Sequence, residues 1–155
     1  MQVSSVNSSL SPVELAAWRG LLRTHAALVR DLDAELHAGH DLSLHEYEVL
    51  LTLAGAPEGR MRMSELAAAV VLSQSGLTRL VDRLGRDGFV ARVRCEGDRR
   101  GLNAEVTDAG RRRYLEARTT HLAGVRRRFL DHLDESELGT LATFWERVVP
   151  GATAE

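Results

Sequence analysis

The hydrophobic period of this chain changes from helical to alternating over one sustained stretch, Phe89 to Val106, and that change limits the fold more than any other feature. In Phe89-Val-Ala-Arg-Val-Arg-Cys95, residues Phe89, Ala91, Val93 and Cys95 fall on one face and Arg92 and Arg94 on the other. Period 2 is the mark of a half-buried strand, here with the apolar set expected inward. A polar loop, Glu96-Gly-Asp-Arg-Arg-Gly101, leads to Leu102, Ala104 and Val106 alternating with Asn103 and Glu105. The pair predicts a two-stranded hairpin with an arginine-bearing tip. Only Arg60-Met-Arg-Met63 adds a hint of another, very short strand. The fold class is therefore mainly α with a small β-hairpin.

Helix starts around the hairpin are written in capping chemistry. Ser11, Pro12 and Glu14 open a long helix expected to run to about Leu36, with Leu15, Trp18, Leu22, His25, Val29, Leu32 and Leu36 along its apolar seam. His37-Ala-Gly-His40 is expected to break it. Ser43 and Glu46 form a second capping box, opening a helix with Tyr47, Leu50 and Leu51 inside, and Gly55 to Gly59 closes it. Ser64 is expected to cap a short helix carrying Leu66, Ala67 and Val70, and Ser73 a further one to about Gly85 carrying Leu77, Leu80, Val81 and Leu84. After the hairpin, Thr107 caps a long helix expected to reach about Leu133. Asp134 and Glu137 box the last, which carries Leu138, Leu141, Phe144, Trp145 and Val148 and stops at Pro150-Gly151. The domain reading is a flexible segment, 1–10, and one domain, 11–155. That domain has outer helices at 11–38 and 108–149 and a compact head at 43–107.

Composition bounds the rest. The chain has 155 residues, enough for one self-sufficient core. Its single cysteine leaves no internal disulfide framework and no cysteine-cluster zinc site. No apolar run reaches the roughly 20 residues that span a bilayer, and the N-terminus lacks a signal-peptide pattern, so no membrane association and a cytoplasmic location are expected. Aromatic content of 5% argues against a single-strand binder built on stacking. The net charge of −2 hides an uneven distribution. Residues 1–59 carry 3 Arg and 8 acids, net −5; residues 60–100 carry 9 Arg and 5 acids, net +4; residues 101–155 carry 8 Arg and 9 acids, net −1. A basic middle between acidic flanks is how a nucleic-acid surface hides in a neutral total.

Three short helices followed by a β-hairpin is the layout of a winged helix-turn-helix. Its third helix must enter a major groove with small or polar residues outward. Here that face offers Ser73, Gln74, Ser75, Thr78, Arg79 and Arg83. Hydroxyls and a helix N-terminus suit phosphate oxygens, Gln pairs with adenine, and Arg pairs bidentately with guanine. Arg99 and Arg100 at the hairpin tip suit a narrow, electronegative minor groove. The apolar residues of the outer helices, from Leu15, Trp18 and Leu22 to Val125, Phe129, Leu141, Trp145 and Val148, exceed what a small head needs and point to a two-fold helical interface.

The run Leu72-Ser-Gln-Ser-Gly-Leu-Thr-Arg-Leu-Val-Asp-Arg-Leu84, then Gly88-Phe-Val, then Asp98-Arg-Arg100 followed after five residues by Val106-Thr107, resembles the multiple-antibiotic-resistance regulator (MarR) family. The wing signature D-x-R-x5-[LV]-T is met by Asp98, Arg100, Val106 and Thr107, and the resemblance covers about residues 11–149. It implies a MarR-like helical dimer that binds a pseudo-palindromic double-stranded operator as a transcriptional regulator, most simply a repressor. It implies DNA contacts from Ser73, Gln74, Ser75, Thr78, Arg79 and Arg83 and from wing residues Arg99 or Arg100. Asp82, with Asp98, resembles a wing-positioning residue that pairs with a wing arginine; read without the family, Asp82 is an i, i+4 partner of Arg86.

Members of such a family often answer to a small aromatic or anionic effector. The seam composition nominates Trp18, Arg19, His25 and Tyr47 as a pocket for one. Cys95 reads as a small buried residue, and the six histidines match no metal-ligand pattern, so neither a metal nor a cofactor is expected. No phosphate loop, G-x-S-x-G or H-E-x-x-H occurs, so no enzyme is expected. The rival readings are a helical dimer module that binds a protein partner without DNA, and a small metal-dependent enzyme using the histidines.

Overall fold

The computed structural model describes residues 9–94 and 101–153. Six helices and three strands follow in order. They are α1 (Pro12–His40), α2 (Leu44–Gly55), β1 (Arg60–Arg62), α3 (Met63–Ala69), α4 (Gln74–Arg86), β2 (Val90–Arg94), β3 (Leu102–Val106), α5 (Asp108–Arg128) and α6 (Glu135–Val148), with 3-10 turns at Pro57–Gly59 and Leu130–His132. The three boxed caps form in full: Ser11 with Glu14, Ser43 with Glu46, and Asp134 with Glu137 each satisfy donors in both directions.

Some boundaries differ from the sequence expectation for physical reasons. Helix α1 runs through Gly39 to His40 and ends where Asp41 turns left-handed and donates its N–H to the His37 carbonyl. Helix α5 stops at Arg128, because Phe129 leaves helical geometry and a 3-10 turn takes over. Ser64 is no cap, since α3 already begins at Met63. The hairpin is part of a three-stranded antiparallel sheet in the order β1-β3-β2, with Met61 opposite Ala104 and Arg92 opposite Ala104 on the other side. The inward phase of β3 is as expected, with Ala104 and Val106 buried. The phase of β2 agrees with expectation only in part. Phe89 and Val93 are half-buried and Arg92 and Arg94 exposed, but Val90 is the buried residue, Ala91 is exposed, and the register sets Arg92 opposite buried Ala104, from where it turns to α4. Cys95 lies outside the described residues, as does most of the expected loose segment 1–10.

The core is concentrated in the head. Of the buried apolar side chains among the described residues, only Leu36 of α1 and Ala117 of α5 lie outside residues 42–106. Two glycines of α5 let its neighbours come close, Gly110 the start of β2 and Gly124 the side chains of α1. A Cβ on Gly110 would strike the Phe89 carbonyl, and one on Gly124 would stand 2.6 Å from Glu35 Oε2 and 2.8 Å from Leu32. Beside that second crossing, Arg128 bonds Asp31 (2.8 Å) and Glu35 (2.6 Å), and Arg127 bonds Glu35 (2.7 Å), tying α5 to α1.

Helices α3 and α4 end alike but with different residues. Leu72 N–H donates to Ala67 and Val71 N–H to Ala68; Phe89 N–H donates to Leu84 and Gly88 N–H to Gly85. Both are Schellman closures, which need a left-handed residue just past the helix. Gly88 fills that place at φ 76°, and Val71 fills it at φ 54° while 89% exposed. A β-branched residue there carries about 1–2 kcal/mol of steric cost, against roughly 0.5–1 kcal/mol of extra unfolded-state freedom for glycine. Val71→Gly is therefore expected to leave the fold intact and raise stability by about 0.5–1 kcal/mol. Urea unfolding of the two proteins checks this; a clear loss of stability would refute the strain assignment.

Candidate nucleic-acid interface

The surface is built outward from α4. Ser73 caps the helix, its Oγ accepting from Gly76 N–H at 3.1 Å and standing 3.3 Å from Ser75 Oγ. Thr78 donates its hydroxyl to the Gln74 carbonyl at 2.8 Å, which any groove contact would share. Leu77, Val81 and Leu84 are buried and anchor the helix to the head. The opposite side exposes Gln74, Ser75, Thr78 and Arg79, three and four residues apart and hence one continuous strip. Arg79 has no partner among the described residues, so its guanidinium is open to solvent.

Asp82 stands at the far end of that strip. Its Oδ1 lies 2.8 Å from Arg92 Nη2 of β2, and the same nitrogen donates to the Thr78 carbonyl at 3.4 Å. The pairing runs from the helix to the hairpin, not along the helix to Arg86. It fixes the base of the wing against α4. From the other side, Thr107 donates its hydroxyl to Gly88 O (2.7 Å) and its N–H to Phe89 O (3.0 Å), holding the start of β2 to the end of β3. Between α3, α4 and the sheet lies a polar groove of about 390 Å³, lined by Arg62, Ser64, Gln74, Thr78, Arg92 and Leu102. Arg62, Ser64 and Arg92 were not nominated from the sequence. The available signal was the basic alternation of Arg60-Met-Arg62, while the pairing of Arg92 with Asp82 across the chain concealed Arg92. Asp98, Arg99 and Arg100 lie outside the described residues.

Arg83 is drawn away from the strip. Its Nε stands 3.0 Å from Oε1 of Glu46, a carboxylate only 1% exposed, and its Nη2 lies 3.8 Å from Asp41. The sequence had placed Arg83 on the outer face because it follows Arg79 by four residues. A buried acid at the head of α2 claims it instead.

The four nominated effector residues are not brought together. Trp18 and His25 line a cleft of about 690 Å³ between α1, Phe129 and α6, with Leu21, Leu141, Phe144 and Trp145 as its other large walls. Arg19 does not line it, because one residue along a helix turns the side chain by about 100°. Tyr47 is buried in the head, its ring centroid 4.5 Å from that of His121 and 5.8 Å from that of Tyr114. Burial, helped by Tyr114, pushes the Tyr47 phenol up to about 12. Burial also holds the His121 imidazole below its usual 6.5, and His121 Nδ1 is enclosed without a hydrogen-bond partner among the described residues. A depressed histidine stabilises the fold fully above about pH 6.5, and that contribution is lost as pH falls towards the folded value. Glu14, Asp31, Glu35 and Glu146, held below their ordinary 3.8 or 4.5 chiefly by hydrogen bonds, add their losses only at more acid pH. His121→Phe keeps the ring packing and removes the proton site, so its stability should stay flatter than wild type below pH 6.5. Thermal unfolding across this range tests it; parallel curves would place the acid sensitivity elsewhere.

A sequence model of the MarR family matches residues 40–101, the stretch from the end of α1 to the wing. The chain is 34% identical to AbsC, a MarR family transcriptional regulator from Streptomyces coelicolor, over 92% of this chain and 95% of that one, with a TM-score of 0.87. It is 30% identical to Sco3205, another MarR family regulator from the same organism whose crystal structure is a complex with DNA, over 92% and 93% of the chains at a TM-score of 0.88. Among curated relatives it is 29% identical to the transcriptional repressor YetL of Bacillus subtilis, over 72% of this chain and 68% of that protein. It is 36% identical to the regulator PecS of Dickeya dadantii, of which it spans 54%.

Proposed function

The chain belongs to the MarR family of transcriptional regulators, whose members are not enzymes, and on that footing we propose that it is a homodimeric repressor of a pseudo-palindromic operator. The exposed strip Gln74, Ser75, Thr78 and Arg79 beside a basic groove is the observation that carries DNA binding. In this reading α4 enters the major groove, with Gln74 and Arg79 meeting base edges and Ser73, Ser75 and Thr78 meeting phosphates. Arg62 and Arg92 flank the same groove, and Arg99 and Arg100 act at the minor groove. The description of Sco3205 as bound to DNA supports this assignment, and the naming of YetL as a repressor supports the sign of regulation.

Dimerisation is supported by what a single chain leaves uncovered. Trp18 is 52% exposed and Leu115 59% exposed, and Leu22, Leu122, Phe144 and Val148 are also exposed. Helix α6 has no buried residue, and α1 buries only Leu36. Apolar surface on that scale marks an interface. A second copy, laying its own α1, α5 and α6 against these residues, would cover the open side of the cleft and set two heads about one helical turn of DNA apart. A small aromatic or anionic effector is the proposed release signal. The cleft offers it the Trp18 indole for stacking and the His25 imidazole as a donor.

Analytical ultracentrifugation and gel shift with DNA from upstream of the chain's own gene test the proposal together. Wild type should sediment as a dimer and shift the fragment. Leu141→Glu, in the wall of the cleft, should give a folded monomer with at least tenfold weaker operator binding. Arg79→Ala should keep the dimer and weaken binding by roughly 1–3 kcal/mol. A wild-type monomer, or a dimer that does not distinguish its upstream DNA from random DNA, would overturn the reading.

A further inference from the structure

Glu46 is the one charged side chain buried among the described residues, and its two oxygens have separate tasks. Oε2 accepts the Ser43 N–H at 2.8 Å and the Ser43 hydroxyl at 2.9 Å, which closes the start of α2. Oε1 has no hydrogen-bond partner among the described residues; what faces it is the Arg83 guanidinium, as an ion pair at 3.0 Å. A cap needs only the first oxygen. The second is an enclosed negative charge whose counter-charge sits on another helix, and such a charge is costly to bury without its partner.

The position of that partner gives the pair its consequence. Arg83 lies in the last turn of α4, the helix whose N-terminal half presents Gln74, Ser75 and Arg79. Its guanidinium reaches the head of α2 through Glu46 and stands 3.8 Å from Asp41, the left-handed residue that ends α1. Asp33 of α1 meanwhile accepts the Leu44 N–H at 2.8 Å, fastening α1 to the same corner. The exit of α1, the entry of α2 and the end of α4 thus meet at one ion pair.

We infer that Glu46 and Arg83 are positioning residues for operator binding: they fix the angle between α4 and α1, and so the spacing of the two recognition helices. This rests on the operator reading above, with α1 as a dimer helix. Arg83 acts through Glu46 and not through the DNA backbone. Movement of α1, whatever imposes it, reaches the DNA-facing strip through this corner.

Two measurements test it, one without DNA. Spin labels on Ala34→Cys and Ser75→Cys in a Cys95→Ser background, diluted with unlabelled protein, report the α1–α4 distance within one chain by pulsed electron resonance. The distribution should be narrow in the otherwise unaltered protein, and broader or displaced in Glu46→Gln and in Arg83→Gln. The amide introduced by Glu46→Gln retains an acceptor for the Ser43 cap, and circular dichroism confirms folding. In operator titrations across salt concentration with unlabelled proteins, Glu46→Gln and Arg83→Gln should each lower affinity at least tenfold with an unchanged salt slope. The double variant should be no worse than the weaker single one, and Arg83→Lys should recover part of the loss. A phosphate contact by Arg83 would instead lower the slope by about 0.9. An unchanged distance distribution in Glu46→Gln, or a reduced slope in Arg83→Gln beside normal binding by Glu46→Gln, would overturn the inference. If wild type binds no operator, the functional reading falls, and the distance measurement alone decides the positioning role.

Discussion

The structure turns on an imbalance of burial. Nearly all enclosed apolar side chains lie between residues 42 and 106, while α1, α5 and α6 together add only Leu36 and Ala117. Those helices are held to the head and to one another by close backbone approach at Gly110, by Glu35 and Leu32 packing on Gly124, and by the Arg127–Arg128–Glu35–Asp31 network. Such ties orient the helices without covering their apolar faces. A compact basic head and a helical frame with unfinished apolar surface are two consequences of one sequence pattern. The proposed dimer is the arrangement that completes the second while presenting two copies of the first.

Within the head, charge sets orientation. Asp82 with Arg92 joins the recognition helix to the wing, and Arg83 with Glu46 joins it to the corner where α1 passes into α2. One end of α4 is thereby fixed from two directions, and its other end is left free to present Gln74, Ser75 and Arg79. The arginines of residues 60–100 therefore fall into two groups. Among the described ones, Arg83 and Arg92 hold internal geometry, and Arg79 is open to solvent. The formal net charge of −2 counted over the whole chain conceals both roles.

Much of this was legible in the sequence where the cause is local. The capping boxes at Ser11, Ser43 and Asp134 depend on residues three apart and form as read. The alternation of β3, the order of elements and the family membership were legible for the same reason. What escaped depended on partners distant in the chain. The role of Arg92 in β2 was missed because an arginine looks like a solvated residue until Asp82 is seen opposite it. Helix spacing placed Arg83 beside Arg79 but could not show its ion pair with Glu46, an acid buried at the head of another helix. Tyr47 looked like pocket lining because its stack on His121 joins residues 74 apart in sequence. Helix ends at Asp41 and Phe129 were set by backbone turns that composition does not mark.

The central claim is that one chain supplies half of a two-headed, duplex-reading surface. Hydroxyl-radical footprinting on the DNA around its own gene tests that most directly. The account predicts two protected patches on the same face of the duplex, centred about 10–10.5 base pairs apart and related by approximate two-fold symmetry. A single protected patch, or protection spread evenly without regard to sequence, would contradict it.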